Sequence, residues 1–421
     1  MPRGPAAATA KRTAQPLEYR LLLTVVLCLL AGGAVMVYSA SSAPAALQGQ
    51  GDGTGYLVKY VGYGAVGLGV MWLLARGGLQ LAVRWTMPLL ILSFVLLVAV
   101  RVPHLGVSVN GAQRWLGAGP LQFQPSEIAK LALVLYGATM LARKPGRPQT
   151  PADVWPLVIV GLVMAGLVAM QPDLGTALVI SFTVTAMLVA AGTPARWIVI
   201  GLAVGAGAVL LFALAEPYRR DRLMSFMDPW AHATSTGFQA VQGQIAIGSG
   251  GLFGKGIGQG TSKLFYLPEA HTDFILAIIG EELGVFGIGV LLTLYGLVGY
   301  AGLRIARNAQ GEYAKLVATG ITCLVMSQAT LNIFTVLGLA PLTGVPLPFI
   351  SYGATSLVVL LAGMGLLLNV ASGATVHVRA VPNRPRVSRP RPVAHDQDRD
   401  RRRRNGGTRR TGAGGGRRAA G

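Results

Sequence analysis

Charge is scarce in this chain. Only 12% of its 421 residues are charged, against 52% that are hydrophobic, and the mean hydropathy is +0.54. A soluble domain with so few charges would present a surface too apolar to stay in solution, so burial in a bilayer is the simpler account. Cysteine is nearly absent. Cys28 and Cys323 both fall inside apolar runs, which excludes a disulfide framework and reads as inert core rather than metal ligation. Histidine is sparse too, five residues without metal-ligand spacing. Acidic residues number 16 against 36 basic ones, a net charge of +20. Such an excess suggests a nucleic-acid partner, but its densest stretch, around Arg401 to Arg404, carries no interleaved aromatics. A topology and anionic-lipid tether is the plainer reading of that tail, with no nucleic acid.

Long apolar runs are plentiful. They cover residues 19–40, 56–75, 85–100, 126–142, 154–170, 174–191, 196–215, 274–303, 315–337 and 349–370. Crossing a bilayer takes about 20 helical residues. The pattern predicts an all-α, polytopic membrane protein of about ten transmembrane helices. The 57 glycines suit close helix packing in lipid. With the N-terminus in the cytoplasm, Lys11, Arg12, Arg20, Arg76, Arg84, Arg143, Lys144, Arg147, Arg196, Arg304, Arg307 and the tail all lie inside, as the positive-inside rule requires. An even number of spans then returns the C-terminus to the cytoplasm. The first run is too long for a cleaved signal peptide. Three regions follow: a cytoplasmic segment 1–18, a transmembrane domain 19–373, and a disordered, Arg-rich cytoplasmic tail 374–421.

Two segments, 101–125 and 216–272, fall on the outer face. The second is the larger and lies between the seventh and eighth spans. Loops of this length are usually functional. Phe238, Val241 and Ile245 have the spacing of one face of a short helix lying along the membrane surface. The Gly-rich stretch 248–260 has neither dinucleotide nor P-loop spacing. It reads as a tight loop that lets the backbone approach a membrane or ligand.

Candidate chemistry sits near the outer face. Glu127 and Lys130 are three residues apart in an apolar run, hence on one helical face. Ionisable residues there usually mark function, the bland alternative being a structural ion pair. Asp173 stands in an outer turn, where capping the next helix and a functional role are evenly matched. Asp273 opens the long run at 274 and closes an outer loop that carries Lys255 and Lys263. Capping is again the plain reading; a carboxylate beside cations at a lipid–water interface equally suits base chemistry on a lipid phosphate. Gln328, Asn332 and Ser351 read as interhelical hydrogen-bond glue.

Several motifs resemble one family. Tyr266-Leu267-Pro268-Glu269-Ala270-His271-Thr272-Asp273-Phe274-Ile275, followed by Gly280-Glu281-Glu282-Leu283-Gly284, is similar to the signature of the SEDS proteins (shape, elongation, division and sporulation). Asn110-Gly111-Ala112-Gln113-Arg114-Trp115-Leu116, Gln124-Pro125-Ser126-Glu127-Ile128-Ala129-Lys130, Gln171-Pro172-Asp173-Leu174-Gly175-Thr176 and Pro348-Phe349-Ile350-Ser351-Tyr352-Gly353 resemble further family motifs, in family order. The likeness covers about residues 19–373, departs at Ala354, where many relatives have Gly, and is nearer the division branch than the elongation or sporulation branches. It implies a glycosyltransferase that polymerises lipid II into peptidoglycan strands at the outer face of the bacterial cytoplasmic membrane, at the division septum. Implied partners are lipid II, the growing glycan strand, a class B penicillin-binding protein transpeptidase, other divisome membrane proteins and membrane lipids. By the motif match Asp273 takes the catalytic carboxylate position, and Glu127, Lys130 and Asp173 match functionally sensitive positions. An acceptor hydroxyl would attack the donor's anomeric carbon and polyprenyl diphosphate would leave, its charge met by Arg114, Lys130, Lys255 or Lys263. No cofactor is certain; a divalent cation, Mg or Mn, is compatible. The rival readings are a lipid II flippase, which intramembrane charges would suit, and a non-catalytic divisome scaffold.

Overall fold

The computed structural model describes residues 16–376, apart from 48–53, 110–111, 119–120, 144–145, 147, 149, 215–224 and 265–266. The expected disordered tail and most of the N-terminal segment lie outside the described residues. The helices are α1 Leu17–Leu47, α2 Thr54–Ala99, α3 Pro125–Ala142, α4 Pro151–Ala169, α5 Leu174–Ala190, α6 Ala195–Leu214, α7 Phe238–Gly250, α8 Ile275–Asn308, α9 Glu312–Val336 and α10 Ala354–Ala371. Six of them are long and apolar enough to cross a membrane: α1 over Leu17–Ser42, α2, α4, α8, α9 and α10.

Local chemistry sets the ends. Pro125 opens α3 and Pro151 opens α4, where a missing N–H costs nothing and φ is already helical. Thr150 and Asp153 close a capping box on α4, and Asp173 caps α5 by accepting from Thr176 N at 3.1 Å. The runs expected at 56–75 and 85–100 are continuous in α2, which at 46 residues would extend roughly 70 Å if straight. It breaks at Gly77 (φ −166°, ψ 16°). Asn369 of α10 serves the backbone on both sides of that break, accepting from Leu79 N at 3.1 Å and donating to Ala75 O at 2.8 Å. Leu361 of α10 packs directly on Gly67.

Two features depart from expectation. Residues 101–125, expected as an outer loop in an all-α chain, hold a three-stranded antiparallel sheet. Its strands are β1 Gly106–Val109, β2 Ala112–Ala118 and β3 Leu121–Phe123, in that order, with an irregularity between Val107 and Ser108. The strands are short and local, so apolar runs gave no sign of them. The helix expected around Phe238, Val241 and Ile245 exists as α7, but it does not lie apart on a surface. It runs parallel to the start of α8: Gly243 packs on the Phe274 ring, and Gly250 meets the Gly280 carbonyl. Val241 is buried while Ile245 is exposed, so the three residues do not share one buried face. Glycine on both helices permits backbone contact, which outweighs the surface preference of a short amphipathic helix.

The loop after α7 is built into a break in α8. Gly284 (φ 65°, ψ −163°) adopts a conformation reserved for glycine, which strands backbone groups on either side. Lys255 N and Gly256 N donate to Glu281 O and Glu282 O, both at 3.0 Å; Val285 N and Phe286 N donate to Gly251 O and Leu252 O, also at 3.0 Å. The Gly-rich stretch does bring backbone into close approach, and what it approaches is another helix.

Candidate active site

Arg114 projects from β2. Its Nε donates to Gln171 O at 3.2 Å and its Nη2 donates to Pro172 O. The guanidinium thereby fixes the turn that precedes Asp173, using the planar fork that only arginine offers. Asp173 is buried, caps α5, and also accepts from Gln124 Nε2 at 3.3 Å. The capping reading holds, and the same carboxylate ties the mouth of α3 to α5 beside Arg114.

Asp273 lies in the turn just before α8, whose N-cap is Phe274, and so stands one step outside the helix it was expected to open. Glu269 turns the chain there with a left-handed φ of 54°, an arrangement that costs about 1–3 kcal/mol and must be held by its surroundings. Backbone bonds hold it. Asn332 Nδ2 donates to Asp273 O at 2.7 Å and to Val345 O at 2.8 Å, and Tyr352 N donates to His271 O at 3.0 Å. Asn332 is thus the glue it was expected to be, and Ser351 Oγ likewise serves Leu347 N at 2.8 Å. The loop after α9 completes the site at Gly344. A methyl group there would lie 3.3 Å from Arg114 Nη1 and 3.4 Å from Asp273 Oδ2. Guanidinium and carboxylate therefore converge over one residue that has no side chain, and its φ of 67° also favours glycine.

Beside Asp273 is an aromatic cluster. The His271 ring lies 4.7 Å from Tyr56 and 5.8 Å from Tyr352, and Tyr56 meets Tyr352 edge-on at 5.3 Å. Lys59 stands 5.9 Å over the Tyr56 ring. Sequence reasoning passed over Tyr56 and Lys59. One signal was available: Lys59 is a cation at the end of an apolar run assigned to the outer face, against the positive-inside trend. Burial holds the His271 imidazole below its ordinary value of 6.5, with Glu269 acting in the opposite sense. Below about pH 6.5 the unfolded chain takes up a proton that the folded chain resists, so this contribution to stability is intact above that pH and lost on acidification. The thermal midpoint should therefore fall as pH drops from about 7 to 5, and fall less in His271→Gln. Equal slopes would place the acid sensitivity elsewhere.

The other candidates sit apart from Asp273. Lys255 Nζ pairs with Glu281 Oε1 at 2.8 Å, and Lys263 Nζ pairs with Glu282 Oε1 at 2.7 Å. Glu281 also accepts from Thr261 and Ser262, and Glu282 from Ser39 of α1. Both glutamates are 0% exposed. A buried carboxylate needs charge and hydrogen bonds to be tolerated, so these lysines secure the loop to α8 and α1. Glu127 and Lys130 form a 2.7 Å pair at 1–2% exposure. They share one face, as the spacing predicted, and that face is buried in the bundle. Cys28 and Cys323 are free thiols. Among the described residues no group of His, Cys, Asp and Glu could hold a metal ion.

Known proteins resemble the chain over most of its length. The profile of the cell cycle protein family that groups FtsW, RodA and SpoVE matches residues 19–375. A probable peptidoglycan glycosyltransferase FtsW from Trichlorobacter lovleyi is 40% identical over 358 residues, covering 85% of this chain and 94% of that protein. Stage V sporulation protein E of Bacillus subtilis is 37% identical over 372 residues, 86% and 98% of the two chains. Among solved structures, a chain from a peptidoglycan synthase complex studied for its coordination of polymerization and crosslinking superposes with a TM-score of 0.69 at 31% identity, covering 85% of this chain and 98% of its own. The rod shape determining protein RodA of Thermus thermophilus gives 0.62 at 31% identity, covering 86% and 97%. With nearly the whole helical region matched in sequence and in structure, this chain belongs to the FtsW, RodA and SpoVE family of cell cycle proteins.

Proposed function

We propose that the chain is a peptidoglycan glycosyltransferase that polymerises lipid II for septal wall synthesis. One observation carries the reading: Asp273 and Arg114 converge over Gly344, where the Asn332 side chain ties the Asp273 carbonyl to the Val345 carbonyl. Asp273 Oδ2 accepts the proton of the acceptor sugar's hydroxyl as that oxygen bonds to the donor's anomeric carbon. The bond from that carbon to the diphosphate oxygen breaks, and polyprenyl diphosphate leaves with the electron pair. General-base help of this kind contributes about 10²–10⁴-fold. With Lys255, Lys263 and Lys130 committed to buried pairs, Arg114 and Lys59 are the cations placed to meet the leaving group's charge. The test is synthesis of glycan chains from purified lipid II by the purified protein, with and without a class B penicillin-binding protein. Chains should form with the partner present; their absence in a well-folded complex would reject the activity and leave the scaffold and flippase readings.

The same proposal sets the chain in the cytoplasmic membrane. Counting α2 as two spans across its Gly77 break, and α3, α5 and α6 as spans that borrow flanking residues, yields ten crossings with both ends inside. α7 then descends beside α8 from the outer face, and Asp273 lies at the outer lipid–water boundary, where a polar sugar on an apolar chain would present itself. A membrane-impermeant thiol reagent applied to cells should label Ser235→Cys, and should label Asn308→Cys only after permeabilisation, in a background without Cys28 and Cys323. The opposite pattern would invert the topology and remove the site from its substrate.

A further inference from the structure

The packing of α3 against α9 has a definite register. Low in the pair, Gly320 packs on Val134, and Met187 of α5 reaches both Gly320 and Gly137. At the other end Asn332 binds Val345 O, Val345 packs on Gly175 at the start of α5, and Gln124, just before α3, binds Asp173. The two helices therefore run antiparallel. Eight residues separate Gly320 from Gln328, and eight separate Ser126 from Val134. Gln328 and Ser126 thus reach the same level, about 12 Å from the glycine contact.

That level, with the turn on either side of it, is buried, polar and incompletely bonded. Gln328 is 0% exposed, Ser126, Glu127 and Asn332 1%, and Lys130 2%. Ser126 Oγ, Glu127 Oε2, both amide atoms of Gln328, and Asn332 Oδ1 make no hydrogen bond to the protein. Gln328 and Asn332 are four residues apart and share a face of α9. Each buried polar atom left without a partner is destabilising, and the group together would consume most of a typical domain's stability. Something must bond them. Glu127, Gln328 and Asn332 require donors, whereas the Gln328 amide N–H and the remaining Lys130 N–H groups require acceptors. The Glu127–Lys130 pair is neutral overall, which favours neither an anion nor a cation. A small neutral ligand that both donates and accepts is water.

We infer that Ser126, Glu127, Lys130, Gln328 and Asn332 enclose an internal water site of roughly two or three molecules, one turn beneath the bond by which Asn332 holds Asp273. The water completes the hydrogen bonding that a buried ion pair needs to stay ionised. It also occupies Asn332 Oδ1, which keeps the amide oriented with Nδ2 on the Asp273 and Val345 carbonyls. The site does not depend on the polymerase reading, and its tests measure neither substrate nor turnover.

Gln328→Leu separates a wet layer from a dry one by sign. If water is bound, leucine strips it of partners, leaves Glu127 Oε2 exposed to apolar surroundings, and lowers the thermal midpoint of the purified protein by several degrees. If the layer is dry, leucine removes an unsatisfied amide and the midpoint stays or rises, which overturns the inference. Should the variant fail to fold, the wild-type protein decides. A high-resolution experimental structure should show ordered density within hydrogen-bonding distance of Glu127 Oε2 and the Gln328 amide. Direct bonding between those two groups, or density whose stabilising effect depends on the identity of an added metal ion, would refute a water site.

Discussion

Asp273→Asn is expected to reduce lipid II polymerisation by about 10²–10⁴-fold or more while leaving the protein folded. The asparagine keeps the size of the side chain and cannot take up the acceptor's proton. The fold should tolerate it because the bonds that hold this turn use main-chain atoms: Asn332 binds the Asp273 carbonyl and Tyr352 N binds the His271 carbonyl. Neither depends on the carboxylate. A gel assay for glycan chains run beside a melting curve separates the outcomes. Near-normal chain synthesis would remove Asp273 from catalysis. Low activity with a collapsed transition would make it a structural residue.

Lys130→Met is expected to lower stability by about 3–5 kcal/mol, because it leaves Glu127 charged, buried and unpaired. That is a large fraction of the stability of a typical domain. Glu127→Gln/Lys130→Met removes both charges and should regain most of the loss, since apolar or neutral replacements of a buried pair are often nearly neutral. The position of the pair, at 1–2% exposure within the bundle, makes it framework, so polymerisation should return with the fold in the double variant. A double variant that melts like the wild type yet makes no glycan chains would assign Lys130 to the substrate after all. Chemical denaturation of the three proteins in one detergent supplies the stabilities.

Much of the helical layout was legible because lipid leaves a one-dimensional record. A chain that must satisfy its backbone within each span does so by continuous apolar helix, and each apolar run lies mainly on one of the helices found. Asp173 and Asn332 were legible for a similar reason. Capping and interhelical bonding follow from residue type and position. The order of the motifs was enough to point to the family and to nominate Asp273 as its catalytic carboxylate, with Arg114 one of four candidate cations.

Pairing in space was another matter. Lys255 and Lys263 sit on the same outer loop as Asp273, and proximity along the chain suggested a shared anion site. Their partners, Glu281 and Glu282, lie about two turns into α8 and face the loop only because Gly284 breaks the helix and the loop backbone fills the break. Desolvation then decides: two buried carboxylates in the bundle hold the nearest cations far more firmly than a carboxylate at the water boundary could. The three strands that carry Arg114 were hidden because their signal is short and lies between long apolar runs. The meeting of Arg114 with Asp273 over Gly344 joins residues from β2, the turn before α8 and the loop after α9. The sequence by itself determined the helical class, the family and the types of residue available for chemistry, since these follow from composition, periodicity and local spacing. Only the tertiary structure decided which charges face each other, because burial and backbone geometry, acting between distant segments, set the energy of every such pair.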